Sequence, residues 1–140
     1  MKPLVVVCTD FSECSEEALV QAADVAKRDG ARLLLLHVSS PPGRRESQAR
    51  AWDEEAMHTL RSQRRRHFAD LSDNDVQYEA IPSNDVAQGI CDAAHRNRAS
   101  LIMVGSHGRT GVVRQLLGSV AENVVRHAQC SVLVVRKSAW

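Results

Sequence analysis

A chain of 140 residues, 44% hydrophobic and 25% charged, has the size and balance of one globular domain with its own core, outside disordered or fibrous compositions. A formal net charge of +1 carries no domain-wide basic footprint, which sets nucleic-acid binding aside. Its apolar runs fall far short of the roughly 20 residues of a membrane-spanning helix, and the opening MKPLVVVC is too short a run for a signal-peptide core, so a cytoplasmic protein of one domain, 1–140, is expected.

In chain order, residues 4–8 read as a continuous apolar strand of the kind covered on both faces. Residues 12–29 place Ala18, Leu19, Ala22, Val25 and Ala26 on one helical face and stop at Gly30, a carboxyl-terminal cap. Residues 32–38 form a second apolar strand. Pro41, Pro42, Gly43, Arg44 and Arg45 then make a loop into a second helix, 48–71, carrying Ala49, Trp52, Ala56, Leu60 and Phe68 among many charges. Within it Arg61, Arg64, Arg65 and Arg66 form a local basic face; with Asp53, Glu54, Glu55 and Asp70 nearby, a solvated face is favoured over a surface for RNA or acidic lipid.

Residues 76–81 alternate apolar and polar, as suits a sheet edge, and residues 85–96 carry Val86, Ile90, Ala93 and Ala94 on a third helix. Residues 101–104 are a fourth strand. A last helix, 119–127, has Ser119 as its expected cap with Glu122 completing a capping box, and residues 132–135 close the chain as a fifth strand. This alternation predicts an α/β fold, an open parallel five-stranded sheet with helices on both faces; the strand order expected for it is 3-2-1-4-5. Four cysteines, Cys8, Cys14, Cys91 and Cys130, show neither a CxxC pair nor zinc-ligand spacing and read as reduced structural thiols. Cys14 lies near a helix start, where thiol pKa values fall.

In open parallel sheets ligands sit beyond the carboxyl ends of the strands where the order reverses. The loops after strands one and four, with Asp10 in the first and Gly105 opening the second, would flank one crevice. The second loop fits no P-loop, since no lysine lies between Lys27 and Lys137, and no GxGxxG fingerprint is present. What it has is spacing: Gly105, two residues, Gly108, nine residues, then Gly118 and Ser119. Gly105 allows a sharp turn and Gly108 the close approach of an anion to amides. Gly118 and Ser119 open a helix whose amides and dipole attract phosphate.

This pattern resembles the universal stress protein family, ATP-binding subclass, whose motif G-x2-G-x9-G-[ST] is matched by Gly105, Gly108, Gly118 and Ser119. VVVCTDFSECSEEAL, LLLLHV, LIMVGSHG and SVLVVR resemble the family's first, second, fourth and fifth strands. The resemblance implies a Rossmann-like fold of the adenine nucleotide alpha hydrolase type and a bound ATP. It implies that Asp10, with Thr9 beside it, meets the adenosine end and that the Val38 backbone meets adenine. Val104 and Gly105 would lie by the ribose, with Gly108, Arg109, Gly118, Ser119 and Val120 along the phosphates. Ser100, Val104, Ser131 and Asn84 depart from the residues common in the family without removing any of these contacts.

Each assignment has a plainer competitor. Asp10 can cap the first helix, the glycines can simply make a turn, and His107 can be a loop or phosphate contact rather than a base. His37 reads as a satisfied strand-end histidine. Micromolar binding is about −8 kcal/mol and a hydrogen bond to a charged group is worth roughly 1.5–3 kcal/mol, so four or five amide and hydroxyl donors suffice without a lysine. Arg109, Arg114 and Mg²⁺ would neutralise the triphosphate, the ion being held mainly by phosphate oxygens. The leading reading is an ATP-binding regulatory module in stress response, dimeric through the fifth strand as an apolar sheet edge invites. The alternatives are a dimeric interaction protein of the same fold that binds no nucleotide, or a very slow ATPase.

Overall fold

The structure, a computed structural model, describes residues 1–39, 46–107 and 117–137, and the side chains of its second helix from residue 54 onward. The elements run β1 (Leu4–Cys8), α1 (Glu13–Asp29), β2 (Arg32–Ser39), α2 (Glu46–Phe68), β3 (Val76–Pro82), α3 (Val86–Arg96), β4 (Leu101–Gly105), α4 (Ser119–His127) and β5 (Ser131–Val135), with one 3-10 turn at Asp73–Asp75. The five strands are parallel in the order β3-β2-β1-β4-β5, the Rossmann-like arrangement expected.

Because strand side chains alternate between faces, the apolar runs of β1 and β2 feed two cores at once. Val5, Val7, Leu33 and Leu35 pack with Leu19, Ala22 and Ala26 of α1 and Leu60 and Phe68 of α2. Leu4, Val6, Cys8, Leu34, Leu36 and Val38 pack with Ile90 and Ala94 of α3 and Val124 of α4. Fully burying one such Val or Leu stabilises by about 1.5–3 kcal/mol, so two continuous layers fix the sheet as the rigid element from which the loops project.

Helix limits follow local chemistry. Ser12 caps α1 by accepting from the Ser15 amide at 3.3 Å, and Gly30 closes it in the left-handed conformation, φ 63°. Asp85 caps α3 by accepting from the Gln88 amide at 3.1 Å. α2 stops at Phe68 rather than at residue 71, since the Leu71 amide already turns back to the Phe68 carbonyl at 3.0 Å. Among the described residues no helix is long and apolar enough to cross a membrane.

The two sheet edges differ. At β3, α2 reaches over the strand: Arg64 Nε donates to the Val76 carbonyl at 3.3 Å and Arg61 Nε to the Tyr78 hydroxyl at 3.1 Å. At β5 no described element pairs beyond the strand, and Leu133 is 39% exposed. The arginine cluster is thus divided in use. Arg61 and Arg64 bond to β3 at Tyr78 and Val76, while Arg66 pairs with Glu16 at 2.9 Å.

Candidate functional site

The strand order reverses between β1 and β4, whose register aligns Val5, Val6 and Val7 with Leu101, Ile102 and Met103. The loops leaving these two strands form the candidate site, and each is held by a different set of bonds.

After β1 the chain turns within Thr9–Ser12 by a dense local network. Thr9, 4% exposed, accepts from the Phe11 amide at 3.0 Å and from Gln63 Nε2 at 3.3 Å, and its hydroxyl lies 3.2 Å from Ser15 Oγ. Ser15 Oγ donates to the Ser12 carbonyl at 2.9 Å, so the Thr9 proton is directed to Ser15 and both Thr9 lone pairs are filled. The Thr9 hydroxyl therefore builds the loop. Asp10 follows, half-buried, one carboxylate oxygen accepting from the Ser12 amide at 3.0 Å. That is an Asx turn rather than a helix cap; the cap is Ser12.

Phe11 adopts φ 68°, a left-handed conformation unfavourable for a bulky side chain by roughly 1–2 kcal/mol. It is held there by its amide bond to Thr9 and by stacking on His37, ring centroids 4.4 Å apart and planes 24° from parallel. His37 is buried, its Nδ1 2.8 Å from the Thr9 carbonyl, so Nδ1 carries a proton. Val38, the next residue, points to the opposite face and is buried there. This positive φ lies beside the strand-order reversal, in the loop that leaves β1.

After β4 the geometry revises two readings. Gly105 is the last residue of β4, not a sharp turn; a Cβ there would sit 3.1 Å from both the backbone carbon and the Cβ of Cys14. A side chain there would press on the start of α1, which lies against this strand end. At the other half of the motif Gly118, not Ser119, is the helix cap, and no side chain bonds the cap position. The first bond of α4 runs from the Glu122 amide to the Gly118 carbonyl at 3.0 Å, leaving Ser119, Val120 and Ala121 as first-turn residues whose amides lie ahead of it. The Gly118 amide donates to the Ser106 carbonyl at 2.5 Å, and the Ser106 amide to the Val135 carbonyl at 2.8 Å. The two halves of the motif are fastened together.

Val104 is buried in β4, and His107 stands half-exposed with Nδ1 3.3 Å from Ser106 Oγ. Gly108, Arg109 and Arg114 lie outside the described residues. Lys137 pairs with Glu13 at the start of α1, which lowers the Glu13 carboxyl below its ordinary value through that hydrogen bond and charge. Among the described residues no group of three His, Cys, Asp or Glu side chains is placed to hold a metal ion.

Three participants escaped the sequence reading: Phe11, Gln63 and Glu16. Gln63 is 1% exposed, and Glu16 accepts from Gln63 at 3.1 Å, from Arg66 at 2.9 Å and lies 2.5 Å from His67 Nε2. A signal for Gln63 was present: it continues the stripe of Ala56 and Leu60 at helical spacing, a polar residue where an apolar one belongs.

A family model described as the universal stress protein family matches residues 3–136. A universal stress protein of Methanocaldococcus jannaschii is 33% identical over 95% of this chain and 81% of the relative. Among solved structures, the universal stress protein UspA from Lactobacillus plantarum superposes with a TM-score of 0.82 at 27% identity, covering 96% of this chain and 97% of that one. A universal stress protein crystallised in complex with cAMP gives 0.76 at 26% identity, covering 97% and 98%.

Proposed function

Since the chain belongs to the universal stress protein family, we propose that it is an ATP-binding regulatory module in stress response, acting through its nucleotide-bound state. The observation that carries this reading is the bond from the Gly118 amide to the Ser106 carbonyl. It sets the amino terminus of α4 at the end of β4, the strand that adjoins β1 and the loop carrying Asp10. The first-turn amides of Ser119, Val120 and Ala121 and the Ser119 hydroxyl are four donors at the positive end of a helix dipole. At roughly 2 kcal/mol each for a charged acceptor they reach the about −8 kcal/mol of a micromolar complex.

In this reading Asp10 meets the adenosine end of the nucleotide and the Val38 backbone meets adenine, while Val104 and Gly105 border the sugar. Gly108 and Arg109 continue the phosphate side, and Mg²⁺ rides on the phosphate oxygens. The Gly118 amide is already committed to Ser106 and is not counted among the donors. The cAMP complex of the related protein supports the class of ligand. The open β5 edge, with Leu133 exposed, supports a homodimer formed strand to strand.

Calorimetric titration of the folded protein with ATP and Mg²⁺ tests the reading. A micromolar dissociation constant is expected. No heat at high micromolar ligand would favour the nucleotide-free interaction protein instead, and steady ADP release would add slow hydrolysis.

A further inference from the structure

The crevice loop is tied to a helix that the glycine motif does not include. Gln63 of α2 is 54 residues from Thr9 and 47 from Glu16 in sequence, yet its Nε2 donates to Thr9 Oγ1 at 3.3 Å and to Glu16 Oε1 at 3.1 Å. The same Thr9 oxygen also accepts from the Phe11 amide at 3.0 Å, and Thr9 immediately precedes Asp10, whose carboxylate accepts from the Ser12 amide at 3.0 Å. Glu16 is anchored in turn by Arg66 and His67, which follow Gln63 by about one helical turn along α2.

The cost of this arrangement is visible on the same side chain. Gln63 is 1% exposed, and its Oε1 meets no donor among the described residues. A buried acceptor left unmet destabilises the fold, and an apolar side chain of the same length would fill the space without it. The unmet Oε1 offsets much of what the two Nε2 bonds contribute to stability, so what the amide adds is the tie between α2 and the β1–α1 loop.

We propose that Gln63 is a positioning residue that holds the β1–α1 loop, and with it Asp10, in the geometry that accepts the nucleotide. This rests on the nucleotide reading given above, but the hold on the loop is measurable without any ligand. Gln63→Met and Gln63→Leu in the full chain separate the two. The expected result is a melting temperature close to that of the parent, the relief of the unmet Oε1 offsetting the bonds lost at Thr9 and Glu16, with faster hydrogen exchange at the Phe11 and Ser12 amides. The dissociation constant for ATP with Mg²⁺ should weaken by about tenfold, the size of one lost hydrogen bond near a charged ligand.

A merely structural glutamine would move stability and affinity down together, and that result overturns the proposal. Unchanged exchange at both amides in both variants overturns it as well. If the parent itself binds no ATP, the nucleotide reading fails, and faster exchange at Phe11 and Ser12 still supports the hold of Gln63 on the loop.

Discussion

The amide of Gly118 donates to the carbonyl of Ser106 at 2.5 Å, which fixes the start of α4 against the end of β4. Gly118 itself has φ −70° and ψ 164°, an extended conformation open to any residue. Gly118→Val with Ser119→Ala is therefore expected to fold with an unchanged circular dichroism spectrum, while loss of the Ser119 hydroxyl and the added side chain beside the first-turn amides weaken ATP binding in calorimetry by about tenfold or more. Retained affinity would place the phosphates elsewhere.

Gly105→Ala tests the approach of α1 to β4. The added Cβ would lie 3.1 Å from the Cys14 backbone carbon and Cβ, so the start of α1 must shift. Overpacking of this kind costs about 1–3 kcal/mol and lowers the melting temperature by roughly 3–10 °C. A melting curve superimposable on the parent's would show that the helix start yields freely.

The Glu16 cluster gives a pH dependence with a definite sign. Burial pushes the Glu16 carboxyl up, but hydrogen bonds from Gln63 and His67 and the charges of His67 and Arg66 outweigh it, leaving the group below its ordinary 4.5. The unfolded chain then takes up the proton first, so the stabilisation is present above pH about 4.5 and is lost as pH falls through the folded value. Melting temperatures of the parent and Glu16→Gln should differ by a constant amount near neutrality and converge in acid. A gap that widens in acid contradicts the assignment.

Leu133→Lys addresses the β5 edge, where this side chain is 39% exposed. A charge on an edge strand opposes strand pairing, so sedimentation at micromolar concentration should show a dimeric parent and a monomeric variant. A parent that sediments as a monomer removes the dimer from the reading.

Burial, and then the neighbouring Cys91 thiol, push Cys8 far above the ordinary thiol range. Burial likewise raises Cys91 and Cys130. Since the thiolate is the reactive form, native protein treated with iodoacetamide near pH 8 should keep Cys8 unmodified by mass spectrometry, and denaturant should expose it. Equal rates in both states would mean that β1 opens readily.

The strands were legible because burial on both sheet faces writes itself as unbroken apolar runs: β1 has the predicted limits, and β2, β3, β4 and β5 differ by one residue at an end. The position of the candidate loops was legible where the signal is local: Gly105 ends β4 and Gly118 and Ser119 open α4, as their spacing suggests. Contacts were not legible where a residue answers to a distant one. The reason for Gly105 lies in Cys14, on another element, and the cap of α4 shifted to Gly118 because the backbone enters the helix one residue earlier than side-chain preference suggests. Gln63 interrupts the apolar stripe of Ala56 and Leu60 in the sequence, but its partner Thr9 is identified only by the fold.

The unlike edges of the sheet bear on how many copies can join. With Arg61 and Arg64 bonded to β3 and no described element beyond β5, the β5 dimer proposed above would use the same end of the sheet in both molecules. Strand addition of that kind would terminate after a single step, in a closed assembly with two-fold symmetry instead of a fibre.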